Sequence, residues 1–476
     1  MRLEGETGVT SDPVSRFRDI VGAEHVRNDP AALAAYSADA LQIGHSPDLV
    51  VLPGCTREIA AIAALCNDSR VPLVVRGTGT GYTGGAVPTS GGLVLSMERL
   101  NRILAIDELN LLAVVQPQVV NGDLQRAVER VGLFYPPDPA SLDQSSIGGN
   151  VAECAGGPRA FKYGTTKRYV LALEAVLPTG EIVRTGSKAV KNVVGYDLTQ
   201  LLVGSEGTLA IITEVTLRLI PKPPARATIA ASFAGVQGAV DAVSALLARR
   251  VVPAAIELID ADSLRAIERY AEATGAVGAA PPGVVGAGAE ALLIVESDGS
   301  PAAVEEEIER VADACREAGA HTVSRANTDA ERDALWAVRR QLSLALRATG
   351  LLKINHDVVV PRGRIPDLFA AVDELKREFR LRVASFGHAG DGNIHVNLMV
   401  DRTDPDERAR AKAAERQLFQ RVVALEGSIS GEHGIGFAKA PYVDIELSPD
   451  VIALMKRVKA AFDPNDILNP GKMFPL

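Results

Sequence analysis

Between residues 71 and 97 the chain passes from a β-branched stretch, VPLVV, through ten residues, RGTGTGYTGG, five of them glycine, to a second apolar stretch, GLVLSM. Such an order predicts strand, glycine-rich turn and strand. It excludes the βα turn of a dinucleotide fold, whose glycines must open a helix. The preceding segment, TREIAAIAALCNDS, has apolar residues at helical spacing behind Thr56 as a cap, so a helix leads into the first strand. A helix followed by strands joined through bare main chain points to an α+β protein. Its glycine turn can bring backbone N–H groups close to an anion, because no Cβ stands in the way.

The rest of the chain extends this pattern. Residues 135–164, YPPDPASLDQSSIGGNVAECAGGPRAFKYG, are rich in Pro, Gly, Ser and Ala, and a segment of that length and composition is more often functional than a plain connection. LALEAVLPTGEIVRT predicts a hairpin about Thr179–Gly180, and GTLAIITEVTLRLI a long buried strand. The run PKPPAR, residues 221–226, marks a boundary. After it come ATIAASF, a helix about 238–249, AAIELI, a helix about 262–273, and ALLIVES, with TGAVGAAPPGVVGAGAE expected to be a mobile excursion. Helices about 302–318 and 329–347 and strands about 353–360, 383–388 and 393–400 complete a sheet expected to be covered on one side.

Composition narrows the function. A chain of 476 residues with 47% hydrophobic and 23% charged residues can bury two cores. Its net charge of −9 and the lack of a Lys/Arg cluster exclude a nucleic-acid surface. Cys55, Cys66, Cys154 and Cys315 lack metal or redox spacing and suit reduced thiols in a cytoplasmic protein. The start, MRLEGETGVTSDPVSRF, is expected to be neither a signal nor an anchor, and no apolar run approaches the ~20 residues of a spanning helix. Membrane contact would then be peripheral, through a partner.

The chemistry concentrates near the C-terminus. His388 and His395 flank a Gly-Asp-Gly turn in HAGDGNIH, and Glu432-His433 follows in SISGEHGIG. Two imidazoles and a carboxylate can hold a divalent metal with positions left open for substrate, and a further imidazole can act as base. Alternation along NIHVN puts Asn393, His395 and Asn397 on one face, so Asn397 could reach the same pocket. His25, His45 and His321 carry no such pattern and are read as structural. His356, in KINHDVVVP, is left open between the pocket and a strand end.

Seven strings in order carry a family resemblance: RGTGTGYTGG, PPDPASLDQSSIGGNVAECAGG, KYGTTKRYVLALEAVLPTGE, GYDLTQLLVGSEGTLAIITEVTLRL, GHAGDGNIHVN, SGEHGIG and FDPNDILNPGKMF. From about residue 20 to its end the chain resembles the FAD-linked oxidases of the vanillyl-alcohol oxidase fold. Within them it is most similar to the group of the glycolate oxidase FAD subunit, D-lactate dehydrogenase and D-2-hydroxyglutarate dehydrogenase. The resemblance implies an FAD-binding domain over 1–222, an antiparallel-sheet cap over 223–428, and a segment, 429–476, that returns to the FAD domain.

It also implies residue roles. Arg76, Gly77, Thr78, Gly79, Thr80, Gly81, Gly84 and Gly85 would wrap the FAD pyrophosphate. Ser145, Gly148, Gly149 and Asn150 would lie on the cofactor's other side. The segment Gly204–Gly207, with Glu206 and Gly207, and Ile212 would line the adenine or flavin region, and Pro136, Asp138, Ser141, Ala152, Gly156, Tyr163, Gly164 and Asn469 would complete its site. His388, His395 and Glu432 would hold the metal, zinc being the first expectation and manganese or iron compatible with the same donors. His433 would take the substrate proton. Arg339 and Ser343, with Lys353 beyond, would bind the substrate carboxylate. The first glycine loop has no histidine for a covalent link, and Cys154, where many members of the group have Asn, is read as a space-filler, so the FAD is expected to be non-covalent.

The function implied is oxidation of a D-2-hydroxy acid to a 2-oxo acid. Electrons would pass to a partner subunit, a soluble carrier or oxygen, since the chain has no iron-sulfur motif, and the protein would be a homo-oligomer or a subunit of a complex. Two alternatives stay open: a metal-dependent hydrolase, and a flavin subunit without catalysis of its own.

Overall fold

The computed structural model describes residues 13–275 and 288–475. Most of the excursion expected over 274–290 and most of the N-terminal segment read above lie outside the described residues.

Two sheets form the first part of the chain. Strands Leu49–Val51, Leu93–Ser96 and Leu73–Arg76 pair in parallel, with Val26–Arg27 antiparallel at one edge. The two strands around the glycine turn are thus parallel, so residues 77–92 must cross from the end of one strand to the start of the other. The helix Thr56–Ser69 buries Ile59, Ile62, Ala63, Leu65 and Cys66 against this sheet, as its spacing predicts. A second sheet is antiparallel throughout, in the order 103–107, 112–115, 211–218, 170–176, 182–186. It contains the expected hairpin and the expected buried strand. The tail returns here: Leu468 bridges to Leu73, and the Asn469 amide donates to the carbonyls of Gly85 and Glu206, tying two loops together.

The largest sheet has seven antiparallel strands, in the order 322–325, 225–233, 291–299, 255–260, 382–388, 393–400, 352–359. Both its faces are covered, which corrects the one-sided expectation. Alternating residues explain this: Ala231, Leu293 and Val396 face one core, with helices Val236–Ala248, Pro301–Glu317, Ile365–Glu378 and Pro405–Ala424. Ala230, Ile294, Ala384 and Phe386 face the other, with helices Ala261–Thr274 and Asp329–Ala348. The second cover is incomplete. Where it stops, the same face carries Glu257, His388, His395, Asn355 and Asp357 and lines the boundary with the first two sheets. No described helix is long and apolar enough to cross a membrane.

Candidate active site

Sheet register builds the polar centre. His388 lies opposite Glu257 on one neighbouring strand, and His395 lies opposite Asp357 on another. Antiparallel neighbours on one face sit about 5 Å apart, so each imidazole meets a carboxylate. His388 Nδ1 is 2.5 Å from Glu257 Oε1, and His395 Nδ1 is 3.6 Å from Asp357 Oδ1. The outer nitrogens converge on a third carboxylate: Glu432 Oε1 is 3.3 Å from His388 Nε2 and 3.7 Å from His395 Nε2.

Asp357 also shapes the segment that brings Glu432 in. Its Oδ2 accepts from the backbone N–H of Gly431, Glu432 and His433 at 3.0, 2.7 and 2.9 Å, while Oδ1 accepts from Asn393 Nδ2 at 2.6 Å. A carboxylate inside a ring of N–H groups makes the chain turn, and Gly434, at φ +79°, continues that turn where a side chain would be strained. The adjacent Glu432 and His433 can therefore serve one pocket. The His433 ring stacks between Tyr82 and His395, 5.3 and 5.2 Å from their centroids.

Electrostatics differ among the three histidines. Burial opposes charge on His388, but Glu257 and Glu432 outweigh it and hold its imidazole well above the usual range. Burial and neighbouring His433 push His395 well below. Burial likewise lowers His433, against the opposing pull of Asp357 and Glu432. Burial would raise Asp357, yet His433, Lys439, His395 and the Asn393 bond together keep it ionised far below the ordinary carboxylate range.

The helix Asp329–Ala348 supplies a cationic stripe. Arg339, Ser343 and Arg347, four residues apart, face the same way. Arg339 Nε donates to Glu257, and its guanidinium stacks on Phe386 at 4.8 Å. Lys353 Nζ donates to Ser343 Oγ at 2.7 Å, and Ser343 also meets the Tyr82 hydroxyl at 2.9 Å.

These groups form one wall of a cavity of about 490 Å³; the opposite wall is the glycine-rich main chain. Of the expected cofactor residues, the cavity is lined by Gly77, Thr78, Gly79, Thr80, Gly81, Gly85, Ser141, Gly148, Gly149, Asn150, Ala152, Gly156, Glu206, Gly207 and Ile212. Glycine is required at 148, where a Cβ would fall 2.5 Å from Pro117 Cβ. Arg76, Gly84, Pro136, Asp138, Ser145, Tyr163, Gly164 and Asn469 are not on this wall. Several of them brace it: Asp138 and Tyr163 bond Arg159 and Asp298, and Asn469 holds Gly85.

Other expectations resolve in the same way. Asn397 shares the face of His395, but its Nδ2 donates to the carbonyls of Ala384 and His395 and its Oδ1 accepts from Asn355, so Asn355 is the residue that lines the cavity. His356 points to the opposite face, against Phe419 at 5.2 Å, with burial pushing it down to about 4. It is a neutral core histidine. Cys154 ends the helix Ile147–Glu153 with φ +55° and lies off the cavity wall, 3.4 Å from Thr165 Oγ1. Glu257, Asp357 and Tyr82 were not singled out from sequence. A lone acid inside AAIELI, and the alternation of Lys353, Asn355 and Asp357 along one strand, were the available signals.

Comparison with known proteins places this architecture. A family model for FAD linked oxidases, C-terminal domain, matches residues 222–473, and one for an FAD binding domain matches residues 47–186. The chain belongs to the FAD-linked oxidases. This FAD-linked oxidase is 43% identical over 467 residues to glycolate oxidase subunit GlcD of Bacillus subtilis, covering 98% of this chain and 97% of that one. It is 38% identical to a D-lactate dehydrogenase of Anaerostipes hadrus, covering 90% of this chain and 89% of the relative. A substrate-bound structure of p-cresol methylhydroxylase shares the fold, with a TM-score of 0.80 at 20% identity, over 97% of this chain and 96% of that one. The glycines along Gly77–Gly81 and Gly148–Gly149 fit the cofactor of the family, letting main-chain N–H donors come to close range of an anion.

Proposed function

We propose that this protein oxidises a D-2-hydroxy acid, of the glycolate, D-lactate or D-2-hydroxyglutarate type, to the 2-oxo acid. One observation carries the reading: the wall facing the glycine cradle holds His388, His395, Glu432 and His433 together, within reach of the Arg339–Ser343–Lys353 group. The names of the similar proteins, glycolate oxidase subunit and D-lactate dehydrogenase, favour the same chemistry.

In this reading non-covalent FAD supplies the acceptor for the hydride leaving the carbinol carbon. Arg339, Ser343 and Lys353 receive the substrate carboxylate and so orient that carbon. His433, kept neutral by burial, takes the hydroxyl proton. His388, His395 and Glu432 would hold a divalent metal, zinc by first expectation, whose Lewis acidity would lower the pKa of the hydroxyl. Support for that role is that His388 turns its other nitrogen to Glu257, the arrangement that orients metal-binding histidines, and that donor atoms of His395, Glu432, His433 and Asp357 lie within 4.8 Å of one another. A proton on His388 Nε2 and a metal there exclude one another, so metal uptake releases a proton. Residues 1–222 would form the FAD domain, 223–428 the cap, and 429–476 the segment completing both. Electrons would leave to a partner subunit or soluble carrier, in a homo-oligomer or a larger complex, with any membrane contact made through that partner.

An anaerobic screen of D- and L-2-hydroxy acids tests the reading. A D-acid is expected to bleach the yellow oxidised flavin; a colourless protein, or a flavin that no 2-hydroxy acid reduces, would reject it.

A further inference from the structure

A second cavity, about 190 Å³, lies beside the first and shares Ala40, Tyr82, Arg347, Lys353 and Asn355 with it. Arg402 also lines it. Three cations thus converge on a small space whose lining contains no Asp or Glu.

Some inward-facing cations elsewhere are matched by carboxylates, while buried Lys439 and Lys472 are held by main-chain carbonyls instead. Arg339 pairs with Glu257, Arg159 with Glu296, and Lys162 with Asp298. Among the described residues Arg347, Lys353 and Arg402 pair with no carboxylate. Arg347 spends one Nη on the Ala40 carbonyl and rests its guanidinium over the Tyr82 ring at 5.3 Å; Lys353 spends one proton on Ser343 and lies 5.2 Å from the same ring. Both keep donors that these contacts do not use. Burial, with Arg347 and Arg339 nearby, pushes the Lys353 ammonium down to about 7, so Lys353 carries its positive charge at a cost that a neighbouring anion would lower. The carboxylate proposed to sit beside Arg339 and Ser343 can neutralise only one of these charges. Arg347 and Arg402 remain.

We propose that this side pocket is a second carboxylate site, made by Arg347, Arg402 and the far side of Lys353 behind the Tyr82 ring. Its occupant is either the distal carboxylate of a dicarboxylic 2-hydroxy acid or a separate carboxylate anion bound next to the substrate. The inference rests on the hydroxy-acid reading above for the identity of the first carboxylate, and Lys353 links the two sites.

The test uses the FAD-loaded enzyme and the variant Arg402→Glu, whose position is exposed and outside the core. Anaerobic flavin reduction is measured with D-lactate, D-malate and D-2-hydroxyglutarate, and with D-lactate plus acetate. If the occupant is the distal carboxylate, the dicarboxylates have the higher kcat/KM, and Arg402→Glu lowers the dicarboxylate-to-lactate ratio about tenfold or more, the span of a charge-assisted hydrogen bond. If it is a separate anion, that ratio stays put, while acetate shifts the KM for D-lactate in the parent and has at least a tenfold weaker effect in the variant. A parental ratio together with a parental response to acetate overturns the proposal. Should no hydroxy acid reduce the flavin, the function proposed above fails instead. The side pocket is then judged by whether acetate perturbs the bound flavin's absorption in the parent more strongly than in Arg402→Glu; equal perturbation overturns it.

Discussion

Asp357→Asn isolates the geometry of the site. The Asp357 carboxylate accepts three backbone N–H bonds with one oxygen and the Asn393 amide with the other. An asparagine has a single acceptor oxygen. If that oxygen faces the Gly431–His433 turn, its NH2 opposes the Asn393 NH2, and that bond is lost at about 2 kcal/mol. The three remaining bonds fall from a charged to a neutral acceptor, about 1 kcal/mol each. Together the turn is weakened by about 5 kcal/mol, and the opposite amide orientation forfeits all three backbone bonds. Glu432 and His433 should then lose their shared orientation, and His395 its carboxylate neighbour. Flavin reduction should slow by about 10- to 100-fold, as for other residues that orient metal-binding histidines. FAD content should stay parental, since Asp357 is not on the glycine wall. Stopped-flow reduction gives the rate, and hydrogen exchange at residues 431–433 reports the turn. A parental rate with parental protection of those amides would refute the reasoning.

Other tests bear on separate parts of the site. His433→Asn should slow flavin reduction about 100-fold with FAD and metal contents unchanged; an unaltered rate would remove it as the base. Lys353 is protonated below about 7, so kcat/KM for a carboxylate substrate should fall as pH rises through that value, and Lys353→Arg, charged throughout, should flatten this limb of the profile. Gly156→Ala would place a Cβ 2.5 Å from Glu432 Oε2, so elemental analysis should find metal content lowered although no ligand is changed; parental content would count against Glu432 as a ligand. Acid precipitation should release the yellow chromophore into the supernatant, and a coloured pellet would contradict non-covalent FAD.

Local signals in the chain were enough for much of this. Periodicity placed the helices Ala261–Thr274, Pro301–Glu317 and Asp329–Ala348 and the strands Arg382–His388 and Asn393–Val400 within a few residues, because each pattern depends only on neighbours in sequence. The glycine string announced a main-chain surface, and spacing within HAGDGNIH and SGEHGIG named the groups that meet there. Pairing across the sheet is what tertiary structure decided. Glu257 stands more than a hundred residues from His388, and Asp357 serves His395 and the Gly431–His433 turn at once, relations set by strand order and register that no local pattern encodes. The same reason separates Asn355, which lines the cavity, from Asn397, which lies behind it on the same face. It also explains why Arg347 and Arg402, ordinary surface charges by sequence, share a cavity with Lys353. An isolated side chain's chemistry is a property of its type; the charge it must answer for depends on which distant strands the core brings beside it.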